Sequence, residues 1–292
     1  MLNAQTMDKT LTHNNLCFGA DWPISRGGIT HEDRLTDILH SLQSHQLADL
    51  NKANLMDRVD VKFLLPIQLL PSILEQMRSN YSVLEINGKR VSEYYNQYFD
   101  TANLSFYHDH HNGKLNRFKV RQRTYLDTDT QFLEVKFKNN QKRTIKSRIH
   151  CGETAQQNQA CHTFIDQKMG KSFDDLSMIQ QGGYQRIALA NEASAERLTL
   201  DFNLWFQRNK NTKKVTLPGF FIAELKQQKR SKLSPFFQLM SKKNIFPTSF
   251  SKYCIGCALL YNSRIKTNQF KTILGQIEKF SLFNNSNVQL SN

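Results

Sequence analysis

The sequence predicts an α+β fold in which antiparallel strands dominate and helices flank them, and three observations carry that expectation. Segments in the middle of the chain alternate apolar and charged residues at the period-two spacing of half-buried strands. Other stretches place apolar residues at helical spacing. At 292 residues the chain suffices for one large domain with extensions, or two small ones, around a full core that needs no disulfide staples.

In the strand segment RVDVKF, Val59, Val61 and Phe63 alternate with Arg58, Asp60 and Lys62. In RFKVRQR, Arg117, Lys119, Arg121 and Arg123 share one wholly cationic face. LEVKFK sets Leu133, Val135 and Phe137 against Glu134, Lys136 and Lys138, and TIKSRI sets Ile145, Ser147 and Ile149 against Lys146 and Arg148. After a central helix, RLTLDF opposes Leu198, Leu200 and Phe202 to Arg197, Thr199 and Asp201, and FFIAELK opposes Phe221, Ala223 and Leu225 to Glu224 and Lys226. An ordinary antiparallel strand with its charged side in water explains any one segment. Repetition argues for more: cations at alternate positions repel one another, so the Arg117 to Arg123 face suits an anionic ligand better than it suits stability. Periodicity leaves open whether these faces point into a barrel or out to solvent.

The helices have their own signals. Residues from Met1 to about Gly28 are polar and aperiodic; Thr30 with Asp33 then makes a capping box for a helix carrying Leu35, Ile38, Leu39, Leu42 and Leu47. Pro71 opens a second, with Ile73, Leu74 and Met77, and a third is expected from about Phe164 to Gln181, stopped by Gly182 and Gly183. Ser234 and Pro235 form an N-cap and first helical position for Phe236 to Lys243. The run from Cys254 to Tyr261 is expected to be a core helix, Ile273, Leu274, Ile277 and Phe280 a last amphipathic one, and the Asn/Ser-rich ending loose.

Thirty-nine Lys and Arg against 25 Asp and Glu give a formal charge of +14 and favour an anionic partner: nucleic acid, membrane phosphate, nucleotide or inorganic phosphate. The cysteines (Cys17, Cys151, Cys161, Cys254, Cys257) are odd in number and irregularly spaced, as in a reducing compartment, so a cytoplasmic protein is expected. No signal peptide is evident, and no run approaches the roughly 18 to 20 apolar residues of a membrane span. Any membrane association would need a separate membrane protein.

Between Asp57 and Asn262 the landmarks accumulate in order: RVDVKF, YFDT at Tyr98 to Thr101 followed by Tyr107, VRQR, LEVK, the KSR of Lys146 to Arg148, YQR at Tyr184 to Arg186, RLTLD, AELK, and SKY at Ser251 to Tyr253. With these motifs the chain resembles the VTC-type polyphosphate-polymerase domain of the CYTH, or triphosphate tunnel metalloenzyme, superfamily. The resemblance implies a closed antiparallel β-barrel with flanking helices, the triphosphate tunnel fold, with charged faces inward. It implies transfer of the γ-phosphoryl group of ATP to a growing inorganic polyphosphate chain, with release of ADP and use of Mn2+ or Mg2+. Carried over by position, Lys62, Arg121, Arg123, Lys136, Lys146, Arg186, Arg197, Lys226 and Lys252 are the expected phosphate-binding cations. Tyr184 and Ser251 add hydroxyl groups, and Arg58, Lys119 and Arg148 on the same faces are expected to help bind substrate. Glu224 matches the metal-binding glutamate, a hard oxygen donor for such cations. Glu134 is either a second metal carboxylate or an ion-pair partner for Lys136 or an arginine, and Asp201 is expected to orient Arg197.

The chain departs from the superfamily's ExExK signature, with Arg58 and Asp60 in place of the two glutamates. That favours the polymerase branch over thiamine-triphosphatase or adenylate-cyclase relatives. Metal-dependent tripolyphosphatase or nucleoside triphosphatase activity, and a non-catalytic polyphosphate or nucleotide sensor, stand as alternatives. Nucleic-acid binding is set aside because the stacking motifs of RNA-binding sheets are lacking. His108, Asp109, His110 and His111 precede Asn112 and Gly113 in an expected hairpin connection, and Cys254 and Cys257 lie in an apolar stretch without a second pair at zinc spacing; both groups are read as structural. The expected division is an N-terminal extension with one amphipathic helix over 1–54, which covers a barrel end, the tunnel domain over 55–262, and a C-terminal helix with a loose tail over 263–292.

Overall fold

The computed structural model describes residues 31–52, 58–141, 143–152, 155–170, 172 and 175–289. The period-two segments all form strands. Among the described residues eleven strands make one sheet: β1 (Ser44–His45), β2 (Val59–Pro66), β3 (Ser82–Leu84), β4 (Ser92–Asp100), β5 (Arg117–Tyr125), β6 (Thr130–Lys138), β7 (Thr144–Cys151), β8 (Ser177–Asn191), β9 (Glu196–Gln207), β10 (Val215–Leu217) and β11 (Phe220–Gln227). The main order is β2-β11-β9-β8-β4-β5-β6-β7, antiparallel throughout; β3 and β10 add to β8 and β9, and β1 pairs in parallel with β3.

Among the described residues seven helices surround the sheet: α1 (His31–Ser41), α2 (Leu70–Met77), α3 (Ser105–His111), α4 (Ala155–Met169), α5 (Pro235–Lys242), α6 (Lys252–Leu260) and α7 (Lys271–Gln289). They decide which way the strand faces point. Leu35 and Leu39 of α1, Ile73 and Leu74 of α2 and Phe236 of α5 pack on Phe63, Leu200, Ala223 and Leu225 of β2, β9 and β11. Cys161, Ile165 and Met169 of α4 pack on Val120, Leu133 and Val135 of β5 and β6. With the apolar faces covered from outside, the charged faces are turned to the concave side of the sheet.

A closed barrel is not formed. β2 and β7 are the ends of the strand order, and among the described residues no ladder joins them. The sheet nevertheless curls until Lys146 of β7 stands 3.7 Å from Asp60 of β2. The facing edges carry Arg58 just before β2, Lys62 on β2, and Lys146 and Arg148 on β7, and like charges oppose the approach that backbone pairing would require.

Several sequence expectations are corrected. The third helix spans Ala155–Met169, and Gly182 and Gly183 lie inside β8 instead of stopping a helix. They are small because Trp205 of β9 closes over the strand: a Cβ on Gly183 would meet Trp205 Nε1 at 2.5 Å. His108 to His111 belong to α3, not to a hairpin connection, because Asp100 accepts hydrogen bonds from the backbone N–H groups of Phe106 and Tyr107 (both 3.0 Å) and so initiates a helix. Leu47 follows α1 and β1 in a 3-10 turn and is 58% exposed, outside the helix core; the capping residue Thr30 lies outside the described residues. α7 continues to Gln289, through the Asn/Ser-rich stretch expected to be loose. Cys151 of β7 and Cys161 of α4 form a disulfide that spacing did not suggest, while Cys254 and Cys257 are free and buried, as read. Among the described residues no helix is long and apolar enough to cross a membrane.

Candidate functional site

The concave side of the sheet encloses a cavity of about 590 Å³. All sixteen residues expected at the site line it. Lys62, Arg121, Arg123, Lys136, Lys146, Arg186, Arg197, Lys226 and Lys252 are there, with Arg58, Lys119, Arg148, Tyr184, Ser251, Glu224 and Glu134. Twelve of the lining residues are Lys or Arg and four (Asp60, Glu134, Asp201, Glu224) are carboxylates; twelve minus four leaves an excess of eight positive charges. Arg117, on the same strand face by alternation, does not line it; its guanidinium donates to the Lys114 carbonyl.

Strand register arranges the charges in rows. Across β5, β6 and β7, Lys119 pairs with Lys136 and Lys136 with Lys146. Two residues along, Arg121, Glu134 and Arg148 form the next row. On the facing wall, Lys62, Glu224 and Thr199 lie in one row across β2, β11 and β9, and Asp60, Lys226 and Arg197 in another. Like charges directly opposite on neighbouring strands are destabilising, so the Lys119–Lys136–Lys146 row costs stability unless an anion lies across it.

Each buried carboxylate serves as counter-charge to particular cations. Glu134 accepts from Arg121 Nε at 2.9 Å and Nη2 at 2.5 Å, with Arg123 at 3.5 Å. Burial raises its pKa, but the two arginines outweigh burial and hold it at about 2. Asp201 accepts from Arg186 Nε (2.5 Å) and Nη2 (2.8 Å) and from Lys252. It therefore orients Arg186 and Lys252, not Arg197 as the sequence suggested, because β8–β9 register sets Asp201 opposite Arg186 and α6 brings Lys252 to it. Against burial, those two cations keep its carboxyl well below the usual range. Glu224 lies 3.0 Å from Lys226 and 3.8 Å from Lys62, which likewise overcome burial and depress its pKa.

The ammonium of Lys136 makes no hydrogen bond or ion pair among the described residues; Arg121 first, and burial second, push its pKa well below the ordinary lysine value. Lys119 donates to Ser251 Oγ at 2.8 Å and Lys62 to the Phe250 carbonyl at 3.0 Å, so two strand cations are tied to the segment entering α6. Ser251 caps α6 by accepting from Cys254 N–H, which places Ser251 and Lys252 at the cavity wall.

Tyr94, which sequence reasoning missed, joins the expected Tyr184 in the wall. Tyr94 stacks on Tyr184 at 5.0 Å with 5° between ring planes, and Arg123 and Arg186 lie 5.3 and 5.0 Å from the Tyr94 ring centre. Lys252 sits 4.1 Å from the centre of the Tyr184 ring, and Arg123 donates to the Tyr184 hydroxyl at 3.3 Å. Burial raises the pKa of that hydroxyl, but Arg123, Arg186 and Lys252 lower it further. The signal was present in SEYYNQYFD, where Tyr94, Asn96 and Tyr98 alternate on one face, but tyrosines on both faces of β4 hid the period.

A curved sheet whose inner face concentrates lysine and arginine around a few buried counter-carboxylates defines a receptor for a compact polyanion. The chain belongs to the VTC domain family, which matches residues 57–261. Among solved structures it is similar to a Bacillus halodurans protein named as a candidate adenylate cyclase (11% identity, 67% of this chain and 94% of that one, TM-score 0.46). It is also similar to HpAC1 from Hippeastrum, described as having a dominant triphosphatase activity (14% identity, 70% and 97%, TM-score 0.44). A conserved hypothetical protein of Pyrococcus furiosus matches at 9% identity over 66% of this chain and 98% of that one, with TM-score 0.36. No curated protein matches the sequence.

Proposed function

We propose that the protein is an ATP-dependent polyphosphate polymerase. The observation that carries the reading is the Lys119–Lys136–Lys146 row beside the Arg121–Glu134–Arg148 row, a surface of fixed positive charge matched to several consecutive phosphates. In the reaction a terminal oxygen of the acceptor polyphosphate attacks the γ-phosphorus of ATP. The bond between that phosphorus and the β–γ bridging oxygen breaks, and its electron pair leaves with ADP. Charge spread over the transferring phosphoryl oxygens is met by Arg121 and Arg123, held in place by Glu134, and by Lys136, while Arg186 and Lys252, held by Asp201, meet the opposite side.

Mn2+ or Mg2+ fits the donor set in a limited way. Among the described residues no group of three or more His, Cys, Asp or Glu could hold a metal. Glu224 is free of arginine forks and offers one hard oxygen, whereas both oxygens of Glu134 are engaged by arginine. A cation held by one carboxylate and by the substrate's own phosphates matches the usual habit of Mg2+. It would neutralise charge on the β- and γ-phosphates during transfer.

The test is incubation of purified protein with ATP and Mn2+. Long-chain polyphosphate with one ADP per phosphoryl transferred is expected; ADP with an equal amount of free phosphate and no polymer would show a hydrolase instead. Lys136→Ala and Arg121→Ala are expected to abolish polymer formation, and Glu224→Gln to remove its dependence on the metal. Full activity in all three would sink the site assignment.

A further inference from the structure

The cavity is not lined by charge along its whole length. Beside the end of β8 and the start of β9 its wall is apolar, built from Leu84 and Ala188 with His45 and Leu47. His45 and Leu47 lie outside residues 57–261, so this wall belongs partly to a segment the family match does not cover. The segment is firmly placed: His45 of β1 pairs with Leu84 of β3, and Leu35 and Leu39 of α1 are buried in the main core.

The chemistry of this wall differs from that of the phosphate rows. His45 Nδ1 lies 2.8 Å from Ser82 Oγ, and the single proton of that hydroxyl is directed to the Ala190 carbonyl at 3.3 Å. With the hydroxyl proton on that carbonyl, the imidazole donates through Nδ1–H and leaves Nε2 as an acceptor. Burial lowers the His45 pKa, in the direction of the neutral ring. Leu47 is 58% exposed at the same place, a large apolar side chain left open among the described residues. Arg58 and Arg197 line the adjoining part of the cavity. A phosphate chain gains nothing from leucine and an unprotonated imidazole nitrogen. A purine does, because leucine covers its faces and the acceptor suits an exocyclic amino group.

We propose that this end of the cavity is a nucleoside site, in which an adenine base rests against Leu47 and Leu84 with its amino group toward His45 Nε2, while Arg58 and Arg197 meet the first phosphates. The proposal rests on a nucleotide as phosphoryl donor. It also gives the donor a direction, with its terminal phosphate toward Lys136.

Calorimetric titration of wild type, His45→Ala and Leu47→Ser with non-hydrolysable ATP and GTP analogues and with inorganic tripolyphosphate tests it. Each variant is expected to bind the ATP analogue about tenfold more weakly, the equivalent of roughly 1.4 kcal/mol, with tripolyphosphate affinity unchanged. His45→Ala is also expected to lose the wild type's preference for adenine over guanine. Leu47 is exposed, so its replacement leaves the fold intact and keeps the test valid if His45→Ala does not fold. Equal weakening toward ATP analogue and tripolyphosphate, or no weakening in Leu47→Ser, overturns the proposal. The titration needs no turnover, so its outcome is separate from the polymerase reading: polymer formation without base preference would spare the polymerase and remove the nucleoside site, and base preference without polymer would do the reverse.

Discussion

At the scale of single residues, Lys136 shows how the site is held ready for its ligand. Its neighbours across the sheet are Lys119 and Lys146, and Arg121 is the largest cause of its lowered pKa. Folding therefore depresses its proton affinity, and the unfolded chain binds this proton more tightly. As pH rises through that window, below the ordinary value of 10.5, stability attributable to this group increases. Phosphate binding has the opposite sign, because the anion needs the ammonium charged. Burial lowers Lys119, Lys226 and Lys252 in the same direction. Tripolyphosphate affinity is thus expected to fall as pH rises toward the ordinary lysine value, with protons taken up on binding. Calorimetry in two buffers of different ionisation heat reads that uptake; proton release, or an affinity flat with pH, would contradict the charge arrangement described for the lysine row. The carboxylates behave oppositely. Glu134, held at about 2, contributes stability that is present above the ordinary value of 4.5 and is lost as pH falls toward 2, roughly 3 kcal/mol in all.

At the scale of elements, α6 is the part that joins apolar core to charged cavity. Its second residue, Tyr253, donates to Asp100, which also accepts from the N–H groups of Thr101, Phe106 and Tyr107. One carboxylate thereby caps α3 and fixes the start of α6, where Ser251 and Lys252 reach the cavity. Tyr253→Phe removes a buried hydrogen bond to a carboxylate, so a loss of about 2 kcal/mol is expected, read as a lower urea midpoint at unchanged slope. Weaker tripolyphosphate binding should accompany it, since Lys119 relies on Ser251; an unchanged midpoint would show that Asp100 holds α6 by other means. None of this linkage was legible in the sequence, since Asp100 and Tyr253 are 153 residues apart. What was legible is local: alternation gave β2, β5, β6, β7, β9 and β11, and Ser234 with Pro235 gave the start of α5. Alternation fails where both faces of a strand are similarly filled, as in β4, and where glycine answers a distant tryptophan, as in β8, which reads as a helix stop when only neighbours are considered. The partners of Asp201 were missed for a related reason, because register between strands is not a property of either strand alone.

At the scale of the whole molecule, the open seam follows from the same charge that makes the cavity. Arg58 and Lys62 on one edge face Lys146 and Arg148 on the other, and among the described residues Asp60–Lys146 is the ion pair that spans β2 and β7. A polyphosphate lying in the cavity supplies the missing negative charge to both edges at once, so it relieves repulsion inside each row and across the seam. The empty protein is accordingly expected to gain stability from an anion that does no chemistry. At a hundredfold excess over its dissociation constant, tripolyphosphate adds about 2.7 kcal/mol, which for a chain of this size is a rise in Tm of about 5–10 °C. Backbone amides of β2 and β7 should gain hydrogen-exchange protection in the same complex, more than those of β9 and β11, which are already paired on both sides. Added salt should shrink the Tm rise by screening the charges that produce it. A Tm rise insensitive to salt, or protection spread evenly over the sheet, would mean that the ligand acts elsewhere than on the two charged edges.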